Sequence, residues 1–346
     1  MIDVGLVGFG LAGRVLHAPL IQTTGMRIAA VVTRQEDLVR SAIPEARVLP
    51  DLDTLLALPK LDLVVIATPN QLHAPQALAA LEHGKHVVID KPAALSVAEC
   101  DRIVAAAERH QRQAAVFHNR RWDSDFLTLR RLLHEGALGA VLDFEARWDR
   151  YRPTVAVRWR EHTDTGGGLL YDLGSHLIDQ ALCLFGWPEW LQADVYRQRS
   201  GALVDDGFVL RMGAGALRIE LSASSVAAEA ASRYCVRGLA ASWRKHGLDV
   251  QEQQLRDGTA PDGASFGLEP ETQWGRLVDG ASQRTLRTPA ERGDWRAFYE
   301  AMRRSIETGS EVPVSLAEAR GVLAIIEAAR SSSDGGKRIN LRPQDQ

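Results

Sequence analysis

The sequence predicts a two-domain α/β protein. A doubly wound parallel sheet occupies residues 1–119, and a second α/β domain, on a mostly antiparallel sheet, occupies residues 120–346. Three observations predict it. The first third alternates short β-rich runs with stretches of helical spacing, the pattern of βαβ units. Several runs are apolar at nearly every position, as in Leu63-Val64-Val65-Ile66-Ala67, which suits strands covered by helices on both faces. From about Asp123 the alternation gives way to paired strand-like runs with glycine-rich connections. The length agrees, since 346 residues at roughly 150 per domain make about two domains.

Strand-like runs at Val4 to Val7, Ile28 to Val32, Leu63 to Ala67, His86 to Ile89 and Ala114 to Phe117 are separated by helical spacing, as at Pro75 to His83 and Val97 to Arg109. A helix through Phe126 to His134 and a strand over Val141 to Trp148 open the second domain, followed by a polar, aromatic-rich stretch through Arg160. Gly166-Gly167-Gly168 introduces a helix over Tyr171 to Phe185, which Gly186 and Pro188 terminate by loosening the backbone and removing a donor. Gly207 to Met212 and Ala216 to Ser222 flank Gly213-Ala214-Gly215 as a hairpin, and Arg233 to Arg237 reads as another strand. Residues 251–293, rich in Gly, Pro, Asp and Gln, read as loop. Helices over Asp294 to Glu307 and Ser315 to Ala329 precede a polar tail, Ser331 to Gln346, expected to fray in part.

With 41 Lys and Arg against 44 Asp and Glu, the formal charge of −3 offers no footprint for nucleic acid or an anionic membrane. The hydrophobic content of 45% supports a sizeable core and excludes disorder as the main description. Cys100, Cys183 and Cys235 are odd in number and far apart, so neither a disulfide framework nor a zinc site follows. No apolar run reaches the roughly 18 residues of a membrane span, and no charged-then-apolar leader precedes Ile2. The expectation is a soluble, cytoplasmic protein.

Gly8-Phe9-Gly10-Leu11-Ala12-Gly13 is a GxGxxG string between the first strand and the first helix. In that context the glycines permit a tight turn and close backbone approach to a pyrophosphate on the helix N-terminus, the dinucleotide site of a Rossmann domain. Counting 33 − 13 = 20 residues beyond Gly13 reaches Val32-Thr33-Arg34, where an NAD site usually carries a carboxylate. A hydroxyl and a guanidinium suit a 2′-phosphate instead, so Thr33 and Arg34 predict NADP(H).

Asp90-Lys91-Pro92 follows one buried strand, and Thr68-Pro69-Asn70 with His73 follows another. Both strings therefore reach the carboxyl rim where doubly wound sheets bind ligands. Position alone leaves Lys91 equally readable as a solvated strand-end charge. Asp172, His176 and Asp179, spaced i, i+4 and i+7, share one face of an otherwise apolar helix. Such a stripe faces water or lines a cavity, and the three preceding glycines, which let backbone approach a flat ligand, favour the cavity. No GxSxG elbow supports a Ser/His/Asp hydrolase, and nothing else marks a metal cluster, so no metal is expected.

In this order and spacing, Gly8 to Gly13, Thr68-Pro69-Asn70, Asp90-Lys91-Pro92 and Tyr171-Asp172-Leu173-Gly174-Ser175-His176 resemble the Gfo/Idh/MocA oxidoreductases over essentially the whole chain. The strings His118-Asn119-Arg120-Arg121-Trp122-Asp123, Asp149-Arg150-Tyr151-Arg152-Pro153 and Arg158-Trp159-Arg160-Glu161 are similar to the branch of that family that oxidises scyllo-inositol with NADP. The resemblance implies a Rossmann domain followed by an α/β domain whose open, mostly antiparallel sheet makes the contact of a homodimer or homotetramer. It places Lys91 near the nicotinamide and the substrate hydroxyl, with Asp172 and His176 completing the acid-base group. It also gives Trp159 and Arg160 a contact with the cofactor, and adds Asn119 to that set. One departure is Asp90, where most of the family has Glu; the carboxylate and the Lys-Pro pair are kept.

The expected activity is hydride transfer between NADP(H) and a carbinol carbon of a cyclic polyol, foremost scyllo-inositol and its 2-keto form. His176 would accept the hydroxyl proton, Lys91 would stabilise the developing oxygen charge, and Asp172 would orient substrate or imidazole. Asn119, Arg121, Trp122, Asp123, Tyr151 and Arg152 supply the polar groups a polyol pocket needs, although each suits a structural role equally well. An NADP-linked aldose dehydrogenase or keto-sugar reductase would use the same catalytic group. A non-catalytic NADP-sensing regulator is the alternative of another class, and the presence of Lys91 and His176 weighs against it.

Overall fold

The computed structural model describes residues 1–156, 161–162 and 166–342. They divide into two units. The first comprises Met1–Asn119, Gln251–Phe266 and Asp294–Arg320, and the second Arg120–Val250, Gly267–Gly293 and the chain from Gly321 onward.

Six parallel strands build the first unit: β1 (Asp3–Val7), β2 (Arg27–Val32), β3 (Arg47–Leu49), β4 (Leu63–Ile66), β5 (His86–Asp90) and β6 (Ala114–Phe117). Their order is β3-β2-β1-β4-β5-β6, so the chain reverses its direction of travel between β1 and β4. The continuous apolar runs in β1, β4 and β5 are buried, as a sheet with helices on both faces requires. A π-helical turn, Ala12–His17, leads into α1 (Ala18–Gln22). Then follow α2 (Glu36–Ala42), α3 (Leu52–Leu56), α4 (His73–Glu82) and α5 (Val97–His110), the last started by Ser96 accepting the Glu99 N–H. Neither β3 nor α3 was legible, because three and five residues are too few to establish a period.

The second unit holds α6 (Ser124–His134), β7 (Val141–Asp149), α7 (Ser175–Phe185) and the strands β8 (Trp190–Tyr196), β9 (Gly207–Ala214), β10 (Leu217–Ser224), β11 (Tyr234–Gly238) and β12 (Ala241–Lys245). Its nine-stranded sheet also takes β13 (Gly275–Asp279), β14 (Thr285–Thr288) and β15 (Ile339–Asn340), in the order β14-β13-β12-β11-β7-β10-β9-β8-β15. Only β7 with β10 is parallel. Apolar residues of the sheet and of α6 and α7 form one core with Val322, Ile325, Ile326 and Ala329 of the closing helix.

Three expectations change. Residues 251–293 are not a loop: they contain α8 (Gln251–Arg256), β13 and β14, all short and polar enough to escape a hydrophobic pattern. The units are not two consecutive stretches either. α8 and α9 (Arg296–Thr308) belong with the first, where Phe298 packs edge-on against Phe117 and Tyr299 reaches His17 Nδ1 at 2.6 Å. Within the expected tail, residues 331–335 continue the last helix and β15 pairs with β8, while residues 343–346 lie outside the described residues. The last helix, α10 (Leu316–Gly335), starts at a reciprocal cap: Glu318 N–H donates to Ser315 Oγ, and Ser315 N–H donates to the Glu318 carboxylate. No helix among the described residues is long and apolar enough to cross a membrane.

A buried ion pair, Lys245 Nζ to Glu269 Oε1 at 3.2 Å, ties β12 to the segment entering β13. Burial lifts the Glu269 carboxyl to about 7, the neighbouring Lys245 opposes this, and Asp125 and Asp249 reinforce it. The folded state therefore binds this proton more tightly than the unfolded chain. The resulting stability is complete below the ordinary value of 4.5 and is lost as pH rises through about 7. Glu269→Gln keeps the protonated shape, so its melting temperature should fall less than that of the parent between about pH 5 and pH 8 in a thermal scan.

Candidate active site

β1 delivers Gly8-Phe9-Gly10-Leu11-Ala12-Gly13 to the carboxyl end of the parallel sheet, beside β4 at the point where the strand order reverses. The three glycines serve different ends. Gly8 has φ +96°, and a Cβ there would lie 2.5 Å from the Ala67 carbonyl oxygen. At Gly13 a Cβ would lie 2.0 Å from the Gly8 oxygen. Both hold the turn shut against β4 and the first helix. A Cβ on Gly10 would meet nothing within 4 Å, so this glycine leaves open the surface over the turn where a dinucleotide's pyrophosphate would rest. Phe9 is buried, and Leu11 is exposed.

β4 ends in Thr68-Pro69-Asn70. Thr68 Oγ1 donates to Gln76 Oε1 at 2.7 Å, and Asn70 is buried. His73 is buried too, and its ring spans two loops: Nδ1 lies 2.7 Å from the Pro92 carbonyl and Nε2 lies 2.9 Å from the Thr68 carbonyl. It braces the two strand exits, since both nitrogens are engaged with backbone. Asp90, at the end of β5, accepts the Lys91 N–H at 2.9 Å. Burial alone would raise its carboxyl; His17, Lys91 and His73 outweigh that and hold it at about 2. Lys91 is half-buried and joined to Pro92 by a cis peptide, and Asn119 is buried beyond β6. At the end of β2, Thr33 Oγ1 accepts the Gln35 N–H at 3.1 Å and Arg34 is exposed.

In the second unit a π-helical turn, Leu170–Gly174, precedes α7, a distortion that often marks functional sites. Asp172 stands in this turn and accepts from Arg150 Nη1 at 3.0 Å. His176 is buried and stacks on Trp148 of β7, with ring centroids 5.7 Å apart; the Arg120, Arg150 and Arg233 guanidinium groups also lie over that indole. The expected stripe is therefore divided. Asp179 is buried and grips Arg121 through two bonds, Nε to Oδ2 at 2.9 Å and Nη2 to Oδ1 at 2.7 Å. Asp123 is buried beside Arg120 at 3.6 Å, Trp122 is half-buried, and Tyr151 and Arg152 are exposed. Trp159 and Arg160 lie outside the described residues. Gly168, read as room for a ligand, is instead filled by protein: its φ is +106°, and a Cβ would fall 2.3 Å from Asp205 Oδ1. Among the described residues no cluster of three or more His, Cys, Asp and Glu side chains is placed to hold a metal ion.

Residues 2–118 match the oxidoreductase family with an NAD-binding Rossmann fold, and residues 130–341 match that family's C-terminal alpha/beta domain. The chain belongs to the Gfo/Idh/MocA oxidoreductase family. Among its relatives, scyllo-inositol 2-dehydrogenase (NADP(+)) IolW of Bacillus subtilis is 37% identical over 98% of this chain and 96% of its own. The uncharacterized oxidoreductase YdgJ of Escherichia coli is 40% identical over 96% of each. Among solved structures, the Bacillus subtilis oxidoreductase yvaA superposes with a TM-score of 0.96 at 37% identity, covering 99% of this chain and 98% of that one.

As a Gfo/Idh/MocA oxidoreductase the chain has an NAD(P)-binding Rossmann domain and the equipment for redox chemistry at a CH–OH group. Sequence reasoning missed Arg150 and Trp148 as partners of Asp172 and His176. Arg150 stood within a quoted string, but no local spacing signals a pair formed across 22 residues. Gly10→Ala should leave the melting temperature unchanged and weaken dinucleotide binding at least about tenfold, whereas Gly13→Ala should lower the melting temperature as well. Calorimetric titration of NADPH beside a thermal scan separates the two.

Proposed function

We propose that this enzyme transfers hydride between NADP(H) and a carbinol carbon of a cyclic polyol, with scyllo-inositol and its 2-keto form as the leading pair. The observation that carries the reading is the acid-base pair of the second unit: half-buried Asp172 accepts from Arg150 Nη1 at 3.0 Å, and His176, four residues on, is stacked on Trp148. A fixed carboxylate that accepts from one hydroxyl, beside an imidazole that takes the proton of another, suits a neutral ring bearing many hydroxyls. The name of the Bacillus subtilis relative supports the same substrate class.

The phosphate turn at Gly8 to Gly13 and the rim residues Thr68, Asn70 and Lys91 would hold the dinucleotide, whose nicotinamide supplies the hydride exchange when bound. Arg34 makes no side-chain hydrogen bond or ion pair with the described residues, which leaves a forked cation available to a 2′-phosphate. His176 takes the hydroxyl proton, its ring plane set by Trp148. Lys91 opposes the charge growing on the substrate oxygen. Asp172, held by Arg150, accepts a neighbouring substrate hydroxyl. Trp122, Tyr151 and Arg152 complete the polyol contacts, while Arg121 and Asp123 act through their partners Asp179 and Arg120. The protein works in the cytoplasm as a homodimer or homotetramer formed through the sheet face opposite the helices of the second unit.

The test follows near-ultraviolet absorbance of the reduced nicotinamide with NADP or NAD against scyllo-inositol, myo-inositol, glucose, xylose and arabinose. Turnover of scyllo-inositol with NADP is expected. Lys91→Met should cut kcat by about 10²–10³-fold with cofactor affinity kept. Arg34→Gln should raise KM for NADP by about 10-fold or more and leave NAD unaffected. Turnover of aldoses alone would move the substrate assignment, and cofactor binding without any turnover would overturn it. Light scattering on the same preparation tests the oligomer.

A further inference from the structure

We infer that the consecutive residues Asp205 and Asp206 are a positioning pair. From one point of the backbone they fix both the helix carrying Asp172 and His176 and the separate stretch carrying Tyr151 and Arg152. The inference rests on the roles proposed above for those four side chains.

Asp205 serves the helix. Its Oδ2 accepts the Leu170 N–H at 2.7 Å and its carbonyl oxygen accepts the Leu169 N–H at 3.0 Å, so two donors at the start of the π-helical turn end on this residue. Arg330 of α10 holds the other carboxylate oxygen at 3.2 Å. The approach is so close that only a glycine fits opposite it, at Gly168.

Asp206 serves the other stretch. Its carboxylate, fully buried, accepts the Gln198 N–H at 2.7 Å, the Arg199 N–H at 2.9 Å and Arg199 Nε at 3.0 Å. The guanidinium thus aimed donates to Glu161 Oε2 at 2.8 Å and to the carbonyl oxygens of Arg152 and Thr154 at 3.4 and 3.5 Å. A second route runs through the backbone: Ser225 N–H donates to the Asp206 carbonyl at 2.9 Å, and Arg152 N–H donates to the Ser225 carbonyl at 2.6 Å. Arg199 is 8% exposed, and its planar fork is what allows one side chain to bridge Asp206 and Glu161. These groups touch no reacting atom; they act through the segments they hold.

The two arms should give opposite kinetic signatures. Asp205→Asn, an isosteric change that weakens only the helix arm, is expected to lower kcat about tenfold with KM nearly unchanged. Glu161→Gln and Arg199→Lys, which loosen the other arm, are expected to raise the KM for substrate about tenfold with kcat nearly unchanged. Full-length variants are assayed with NADP(H) and the best substrate of the panel, alongside amide hydrogen exchange. Exchange should quicken over residues 170–180 in Asp205→Asn alone, and over residues 150–156 in Glu161→Gln and Arg199→Lys alone. Equal quickening of both segments in every variant, or kcat and KM moving together with the melting temperature, would overturn the pair in favour of shared packing. If the parent enzyme turns over no polyol or sugar, the proposed function fails, and the exchange pattern still decides this inference.

Discussion

The contact between the turn leaving β1 and the end of β4 is the constraint on which the first unit depends. Gly8 lies against the Ala67 carbonyl, and Gly13 lies against Gly8, closer than any side chain permits. That approach lets the first helix start at the sheet rim, beside the residues that β4 and β5 bring there. It also explains why only the middle glycine of the string faces open space. His73 then links the exits of β4 and β5 by reaching both the Thr68 and Pro92 carbonyls. The rim is therefore a set of backbone turns held by hydrogen bonds and sterics, on which Asn70 and Lys91 ride.

The second unit solves a different problem, the placement of ionisable groups against apolar helices. Arg121 with Asp179 and Lys245 with Glu269 are buried and paired, and leaving either member alone would strand a charge out of water. The cations over Trp148 place positive charge on the indole that His176 stacks against. Such arrangements contribute modestly to net stability; what they fix is geometry, because each side chain has one partner in one orientation.

Much of the first unit was legible because the central stretches of its longer strands are continuously apolar and its glycines sit where a strand meets a helix. The second was legible where α7 and the β9-β10 hairpin have clear periods. The turn itself lies one step later than expected: Gly213 stays in β9 and Gly215 takes the positive φ. What escaped were short polar elements such as α8 and β14, and partnerships across long sequence separations. Asp179 at i+7 looked like part of a single surface with Asp172 and His176, yet a single arginine 58 residues earlier withdraws it from that surface. Gly166-Gly167-Gly168 carried a real signal of close approach, but the approaching group at Gly168 is the Asp205 carboxylate. Side-chain freedom can be read from a sequence; the identity of the neighbour cannot.

The discontinuity of the first unit has a consequence for how the protein is made. Phe117 and His17 finish their packing only against Phe298 and Tyr299, which are encoded nearly at the far end of the chain. A ribosome releases all six parallel strands long before it releases those two aromatic residues. During that interval the nascent dinucleotide unit carries an uncovered apolar face, while the entire nine-stranded sheet except β15 is emerging behind it. Vectorial synthesis thus gives no early, self-contained first domain. The two units must mature together, and a chain stopped before α9 would present that face to chaperones and proteases.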